Sequence, residues 1–429
     1  MNTVDLAQLQ NRDIIMFGIQ NWEEKLGSNP RNIAYEFAKT NRVLYVDMPL
    51  FRIKALREAN KPDVQEALAV IRGEKKPLSQ VDDNIYLFRP TIMNESINWI
   101  PNRASGIFDR FNKRNNRILA SEIQNAIDDL GMKDVIMFYD NDLIRGFYLK
   151  DMLSIDMFVF YMRDFLSAMN YWKKHGSRLE PELLAKADVI VANSEYYARY
   201  CKRYNRNSHF VGQGCDIEHF NPDNIKGLPE DIIAIKAKDP DKPIIGYVGV
   251  IYSMRLDEKI ILQIAEDRND WNIVLVGPED DLFSNSELHN MDNVHFLGFK
   301  DMSTLPDYMN SFDVCINPQG LNPVTIGNYP LKIDEYLAMK KPVVATRTLA
   351  MKFFEEYCYL AEDGIDYILK IEEALKYHTA EKAEAGAAFA NSHTWENNVK
   401  EIYKAINLTY QKRKGIAREQ PREKLVDPS

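Results

Sequence analysis

Short runs of β-branched and aromatic residues alternate with stretches of helical period along nearly the whole chain. That alternation restricts the fold to parallel sheet wrapped by helices. In the first half, residues 14–18, 43–47, 85–89, 135–139, 157–162, 189–193 and 209–212 are the expected strands, with helical patterns such as 31–39 and 180–187 between them. They make one doubly wound domain over 1–221, a size a single core can fill. Residues 222–243, rich in Pro, Asp and Lys, form the expected linker and hold at most one short helix. The alternation restarts at 244–250, 271–276, 294–297, 314–317 and 342–346, giving a second α/β domain over 244–390. Residues 391–412 read as a closing helix returning toward the first domain, and 413–429 as a polar tail. Two such domains in series place a ligand between the carboxyl ends of two sheets.

Composition narrows the partners. The 429 residues carry 54 Lys/Arg against 63 Asp/Glu, a formal charge of −9, so no global positive field attracts nucleic acid. Up to Glu218 the balance is 30 basic to 29 acidic; the remaining 24 against 34 puts the whole excess in the second half. Four scattered cysteines without a C-x-x-C pair indicate a reducing, cytoplasmic setting and neither a disulfide framework nor zinc. Met1–Asp13 lacks a basic n-region and an apolar h-region, and the run 14–19 is too short to span a bilayer, so membrane contact is expected to be peripheral. The seven histidines show no metal spacing, and neither G-x-S-x-G nor a P-loop occurs.

The most informative segment is 330–346, PLKIDEYLAMKKPVVAT. Pro330 suits a helix's first turn, and Lys341-Pro342 stops the helix and launches an apolar strand. Lys332 and Glu335, three apart, share a face. A lysine beside a helix N-terminus suits phosphate oxygens, and a carboxylate one turn deeper can accept both hydroxyls of a ribose. The alternative is an ordinary solvated Lys–Glu pair; the apolar surroundings (Tyr336, Leu337) and the strand before the helix favour the ligand. After the strand at 244–250, Gly246 and Gly249 are followed by Tyr252, Ser253 and Arg255, a turn that can approach a diphosphate although it lacks the third glycine of G-x-G-x-x-G.

This pattern resembles the nucleotide-sugar domain of GT-B glycosyltransferases, whose helix reads P-x-K-x-x-E-Y-L-A-x-x-K-P-V-V-A-T. The likeness extends to IIGYVGVIYSMRLDEKIILQIAEDRNDWNIVL at 244–275, Val276-Gly277-Pro278, VHFLG at 294–298, DYMNSFDVCINP at 307–318, LLAKADVIVANS at 183–194, VGQGCDIEHFNP at 211–222 and Trp395. It is nearest to bacterial enzymes of the teichuronic-acid type. The resemblance implies two Rossmann-like domains facing a central cleft with a closing helix, and a transferase moving sugar from a nucleotide diphosphate donor, UDP-linked, to a glycan or lipid-linked acceptor in cell-surface polysaccharide synthesis. It implies donor contacts at Gly249, Tyr252, Arg255, Gly277, Gly298, Lys332 and Glu335, and acceptor contacts at Gly18, Asn21 and Trp22. It departs at Gly327, where many retaining members of family four carry a second glutamate eight positions before the one matching Glu335; Asn322 and Asn328 are the candidate substitutes. No cofactor is expected, and Arg255 and Lys332 can neutralise the leaving diphosphate without metal.

Three further features carry alternatives. Asp164, after the apolar run 157–162, is either a helix N-cap or the general base that deprotonates the acceptor hydroxyl. Asp140-Asn-Asp142 follows another strand; Asp-x-Asp can hold a divalent cation, but turn chemistry is the expectation. In 101–119, five bases (Arg103, Arg110, Lys113, Arg114, Arg117) face one acid, Asp109, with Ile107, Phe108, Phe111 and Ile118 at helical spacing. This is either a core helix with a solvated basic face or a peripheral contact with anionic membrane at the inner face of the cell membrane. A UDP-sugar epimerase and a non-catalytic nucleotide-sugar-binding protein are the competing functions, separated by whether donor is consumed only when acceptor is present.

Overall fold

The computed structural model describes residues 6–23 and 29–415. Most of the expected tail, 416–429, lies outside them. The first sheet has eight strands in the order Ser208–Phe210, Val189–Ala192, Met157–Met162, Ile136–Asp140, Asp13–Gly18, Arg42–Val46, Ile85–Phe88 and Leu78–Asp82. All pairings are parallel except the last, an antiparallel edge strand. The second sheet, wholly parallel, runs Val294–Gly298, Asn272–Val276, Ile244–Val248, Val314–Asn317, Val343–Thr346 and Tyr359–Ala361. The central strands are buried on both faces, the reason they read as continuous apolar runs rather than as alternation. This is the α/β architecture of two doubly wound, Rossmann-like sheets.

The closing helix, Trp395–Arg413, puts Val399, Ile402, Tyr403, Ala405 and Ile406 into the core of the first sheet, where Tyr403 stacks on Phe37 at 5.5 Å. Trp395 covers Gly214: a Cβ there would lie 2.3 Å from the indole, so only glycine lets the chain pass beneath the ring. The expected linker, 222–243, has room for a short helix. It holds the helix Glu230–Lys238, whose Ile232 and Ile235 are buried in the second sheet's core, because their spacing of three supplies an apolar stripe among charges. The four cysteines are free and buried. Among the described residues no helix is long and apolar enough to cross a membrane.

Candidate functional site

The donor-side residues converge at the carboxyl ends of the second sheet. Gly249 follows the strand Ile244–Val248 with φ +145°, and Gly277 follows Asn272–Val276 with φ +149°. A Cβ on Gly277 would lie 1.8 Å from the Gly249 carbonyl oxygen, so the two strand ends pass backbone to backbone. Gly249 N–H donates to Val276 O (2.9 Å) and Gly277 N–H to Gly298 O (3.0 Å), joining the three expected glycines in one floor. Lys332 lies against it. Its Cε is 3.1 Å from where a Gly249 Cβ would be, and its Nζ 5.1 Å from the Tyr247 ring centroid. The helix carrying it, Lys332–Ala338, starts later than Pro330 predicts; Pro330 instead accepts the Ile333 N–H (2.9 Å) before the first turn.

Glu335 follows one turn on. Burial pushes its carboxyl up to about 7, with Lys332 opposing and Asp334 and Asp216 adding to the rise. Among the described residues, neither Glu335 nor Lys332 has a side-chain hydrogen bond or ion pair. Their neighbour Asp334 has the opposite role, which the sequence did not reveal. It is buried, with Oδ1 2.8 Å from His393 Nδ1 and Oδ2 accepting from Tyr329 OH (2.6 Å). The His393 carbonyl takes the Cys215 N–H (2.7 Å), so the strap where the chain crosses between domains is tied to the helix bearing Glu335.

Facing this floor is a charged cluster at the carboxyl ends of the first sheet. The Arg163 guanidinium is nearly buried and donates from Nε to Asp140 Oδ1 (2.8 Å), from Nη2 to Asp140 Oδ2 (3.2 Å) and from Nη1 to Asp164 Oδ2 (3.2 Å). Burial outweighs Arg163 and raises the Asp140 carboxyl above its ordinary range. Asp164 Oδ1 lies 3.6 Å from Nη2 of Arg255, which belongs to the second domain. Asp164 therefore bridges the cleft. It is not an N-cap: the short turn Leu166–Ala168 is preceded by Phe165, and Asp164 caps nothing. The Asp140–Asp142 carboxylates are engaged within the protein, Asp140 by Arg163 and Asp142 Oδ1 by the N–H groups of Ile144 (2.8 Å) and Arg145 (2.7 Å), the turn chemistry expected after a strand. Arg163 was legible only as a neighbour of Asp164; its partner Asp140 lies 23 residues away.

Other expected residues fall differently. Tyr252 is an exposed lip whose carbonyl accepts the Arg255 N–H (2.8 Å). Trp22 is a correction: it is nearly buried against Tyr35 and Tyr45 and serves the core, not an acceptor surface. Gly18 lies where a Cβ would come within 2.5 Å of Asp140 Cβ, so its absent side chain serves strand packing. Asn21 Oδ1 accepts the Met48 N–H (2.8 Å), fixing the loop after Arg42–Val46. Asn322 is committed at both ends, to Met254 O (2.9 Å) and the Val324 N–H (2.9 Å), and so does not replace the missing glutamate; among the described residues Asn328 makes no such side-chain bond. Gly327 has a steric explanation. Its carbonyl accepts Ser194 Oγ–H from the first domain (2.7 Å), and a Cβ would lie 2.2 Å from Tyr196 Cδ1. In this arrangement no side chain fits there.

Comparison with known proteins agrees with this fold. Residues 242–376 match the family "Glycosyl transferases group 1". A curated relative, the putative teichuronic acid biosynthesis glycosyltransferase TuaH of Bacillus subtilis (strain 168), is 28% identical over 240 residues, 53% of this chain; the match spans 59% of that relative's length. Among solved structures, sucrose-phosphate synthase from Thermosynechococcus elongatus aligns with TM-score 0.63 at 15% identity, over 94% of this chain and 99% of that one. Anabaena Alr3699/HepE in complex with UDP aligns with TM-score 0.58 at 14% identity, over 94% and 99%. The E. coli trehalose-6-phosphate structure bound with UDP-2-fluoro glucose gives 0.64 at 11%, over 94% and 99%. These similarities establish the GT-B fold.

Proposed function

We propose that this chain, which carries a group 1 glycosyltransferase domain on a GT-B frame, transfers a sugar from a UDP-linked donor to a glycan or lipid-linked acceptor in cell-surface polysaccharide synthesis. The observation that carries the reading is the pairing across the cleft: Lys332 and Glu335, without side-chain hydrogen bonds or ion pairs among the described residues, above the glycine floor on one side, and Asp164 within 3.6 Å of Arg255 on the other. In this reading Gly249, Gly277 and Gly298 let the backbone approach the nucleotide, and Tyr252 borders it. Lys332 and Arg255 neutralise the diphosphate as it leaves, where charge builds up. The Glu335 carboxylate accepts the ribose hydroxyls. The acceptor occupies the first domain near Gly18 and Asn21, where Asp164 removes its hydroxyl proton and the new glycosidic bond forms as the bond to UDP breaks, with inversion. The chemistry asks for no cofactor and no metal. The exposed basic face over 101–119 then holds the enzyme on the inner face of the cell membrane.

The UDP in one structural neighbour and the UDP-2-fluoro glucose in another support the choice of donor. The test is to incubate the protein with a panel of UDP-sugars, with and without lipid-linked and soluble glycan acceptors. UDP release that requires acceptor is expected. Conversion of free UDP-sugar without acceptor would mark an epimerase instead, and binding without turnover on any acceptor a nucleotide-sugar-binding protein.

A further inference from the structure

The long helix Ser105–Asp129 buries Phe108, which stacks on His175 at 3.7 Å, so that residue leaves the apolar stripe expected from the sequence. The flank beside it keeps Ile107 56%, Phe111 41% and Ile118 37% exposed. Residues 107, 111, 114 and 118 lie on one helical line. Arg110, Arg114 and Arg117 are exposed on or beside it, Lys113 is exposed on the far flank with Nζ 6.0 Å from the Tyr148 ring centroid, and none of the four has an ion-pair partner among the described residues.

Two segments distant in sequence extend this face. The short helix Arg52–Arg57 buries none of its residues, and Leu56 is 76% exposed. Trp99 is 74% exposed in the loop that leads to the long helix. Arg52 pairs with Glu95 at 2.9 Å, Leu50–Phe51 pairs in parallel with Met93–Asn94, and Lys174 Nζ holds the Trp99 carbonyl at 2.9 Å. Asn115 of the long helix donates from Nδ2 to the Glu95 carbonyl (3.0 Å), and Phe108 stacks on His175 next to Lys174, so the two segments are tied to the long helix through Glu95 and through the helix Asn170–Lys186. This surface borders the acceptor side: the Arg145 guanidinium lies 6.0 Å from the Phe51 ring centroid and 5.0 Å from that of Trp172, just beyond the strand Ile136–Asp140.

We propose that the helix Arg52–Arg57, the Trp99 loop and the exposed face of Ser105–Asp129 form a composite docking surface for an anionic lipid bilayer, beside the acceptor entrance. This rests on the reading of the chain as a transferase with a lipid-linked acceptor. A solvated basic face would carry the cations without the leucine, tryptophan, isoleucine and phenylalanine among them. An apolar protein interface would not hold four unpaired cations. Apolar side chains flanked by lysine and arginine suit the boundary between headgroups and acyl chains, where the apolar groups insert and the cations meet lipid phosphates. The charge is also local, since the chain as a whole is at −9.

The test uses the full chain in flotation with phosphatidylcholine vesicles, with or without phosphatidylglycerol, alongside calorimetric titration with UDP. Recovery with anionic vesicles is expected to exceed recovery with neutral ones, and to fall as salt rises from about 0.1 to about 1 M and the Debye length shrinks from about 10 to about 3 Å. Leu56→Ser with Trp99→Ser should weaken vesicle binding at least tenfold with UDP affinity unchanged, as should Arg114→Glu with Arg117→Glu. Equal recovery on both vesicle types, or wild-type recovery by both double variants, overturns the proposal. Loss of UDP binding in the wild-type chain with vesicle binding retained would instead refute the transferase reading and leave the docking surface standing.

Discussion

Replacing Glu335 by glutamine should make the unliganded protein more stable and a poorer binder, with both effects set by one carboxyl. Its proton affinity rises from an ordinary 4.5 to about 7 on folding because burial penalises the charge more than Lys332 relieves it. A carboxyl raised in the folded state binds more protons there than in the unfolded chain, so stability falls as pH climbs from 4.5 to 7 and the deficit persists above. At 1.36 kcal/mol per tenfold change, the deficit has an upper limit of about 3 kcal/mol at pH 8, which solvent access at the site reduces. Glu335→Gln removes it. Urea unfolding of the unliganded protein should therefore show the variant more stable by about 1–3 kcal/mol at pH 8 and equal to wild type near pH 4. Binding should move the other way, because the carboxylate is the form that accepts two hydroxyl protons. With the group at about 7, roughly nine tenths is ionised at pH 8 and about one tenth at pH 6, so UDP-sugar affinity should fall about tenfold between them. A UDP-sugar is the appropriate ligand because a terminal phosphate itself titrates near pH 6. The variant should lose the pH slope and bind about 10- to 100-fold more weakly at pH 8, the usual range for a charged hydrogen bond. An affinity that is unchanged, or that keeps the wild-type pH slope in Glu335→Gln, would refute the assignment of Glu335 to the donor; a variant no more stable at pH 8 would refute the burial argument.

Asp164→Asn removes the proton acceptor but keeps most of the polar contact to Arg163, so turnover should drop by about 100-fold or more with UDP-sugar affinity within about threefold of wild type; retention of more than about a tenth of wild-type turnover would place the base elsewhere. Gly327→Ala should destabilise the protein by about 1–3 kcal/mol in urea unfolding, because its Cβ would lie 2.2 Å from the Tyr196 ring, and a change below about 0.5 kcal/mol would show that the domains separate freely there. Gly277→Ala forces a Cβ to within 1.8 Å of the Gly249 carbonyl at φ +149°, so thermal unfolding should show a large loss of stability and calorimetry a loss of UDP binding; a folded variant with intact affinity would mean the floor is not the nucleotide's.

The strands that cross the middle of each sheet were legible in the sequence because they are buried on both faces; 157–162 and 314–317 emerge with the bounds expected. The edge strand Leu78–Asp82 was not, since antiparallel pairing at an edge requires no apolar face and its residues are half-exposed or exposed. The helix Asn170–Lys186 begins ten residues before the expected 180–187 and carries Pro181 in its interior, where packing of Trp172, His175 and Leu179 overrides local propensity. Lys332 and Glu335 were readable as a pair because helical spacing of three fixes a shared face without tertiary information. What local pattern could not encode is which partner each charge meets: that Arg163 occupies Asp140, that Asp164 reaches Arg255 of the other domain, that Asp334 is tied to His393 and that Gly327 is pressed on Tyr196. Those depend on segments from about 20 to more than 130 residues apart being brought together, and nothing in a residue's own neighbourhood of the chain records that distance. Pattern along the chain specified two sheets and the side chains offered at their edges; tertiary structure decided which partner each of those side chains meets, because a charge pair forms only when distant segments pack against one another.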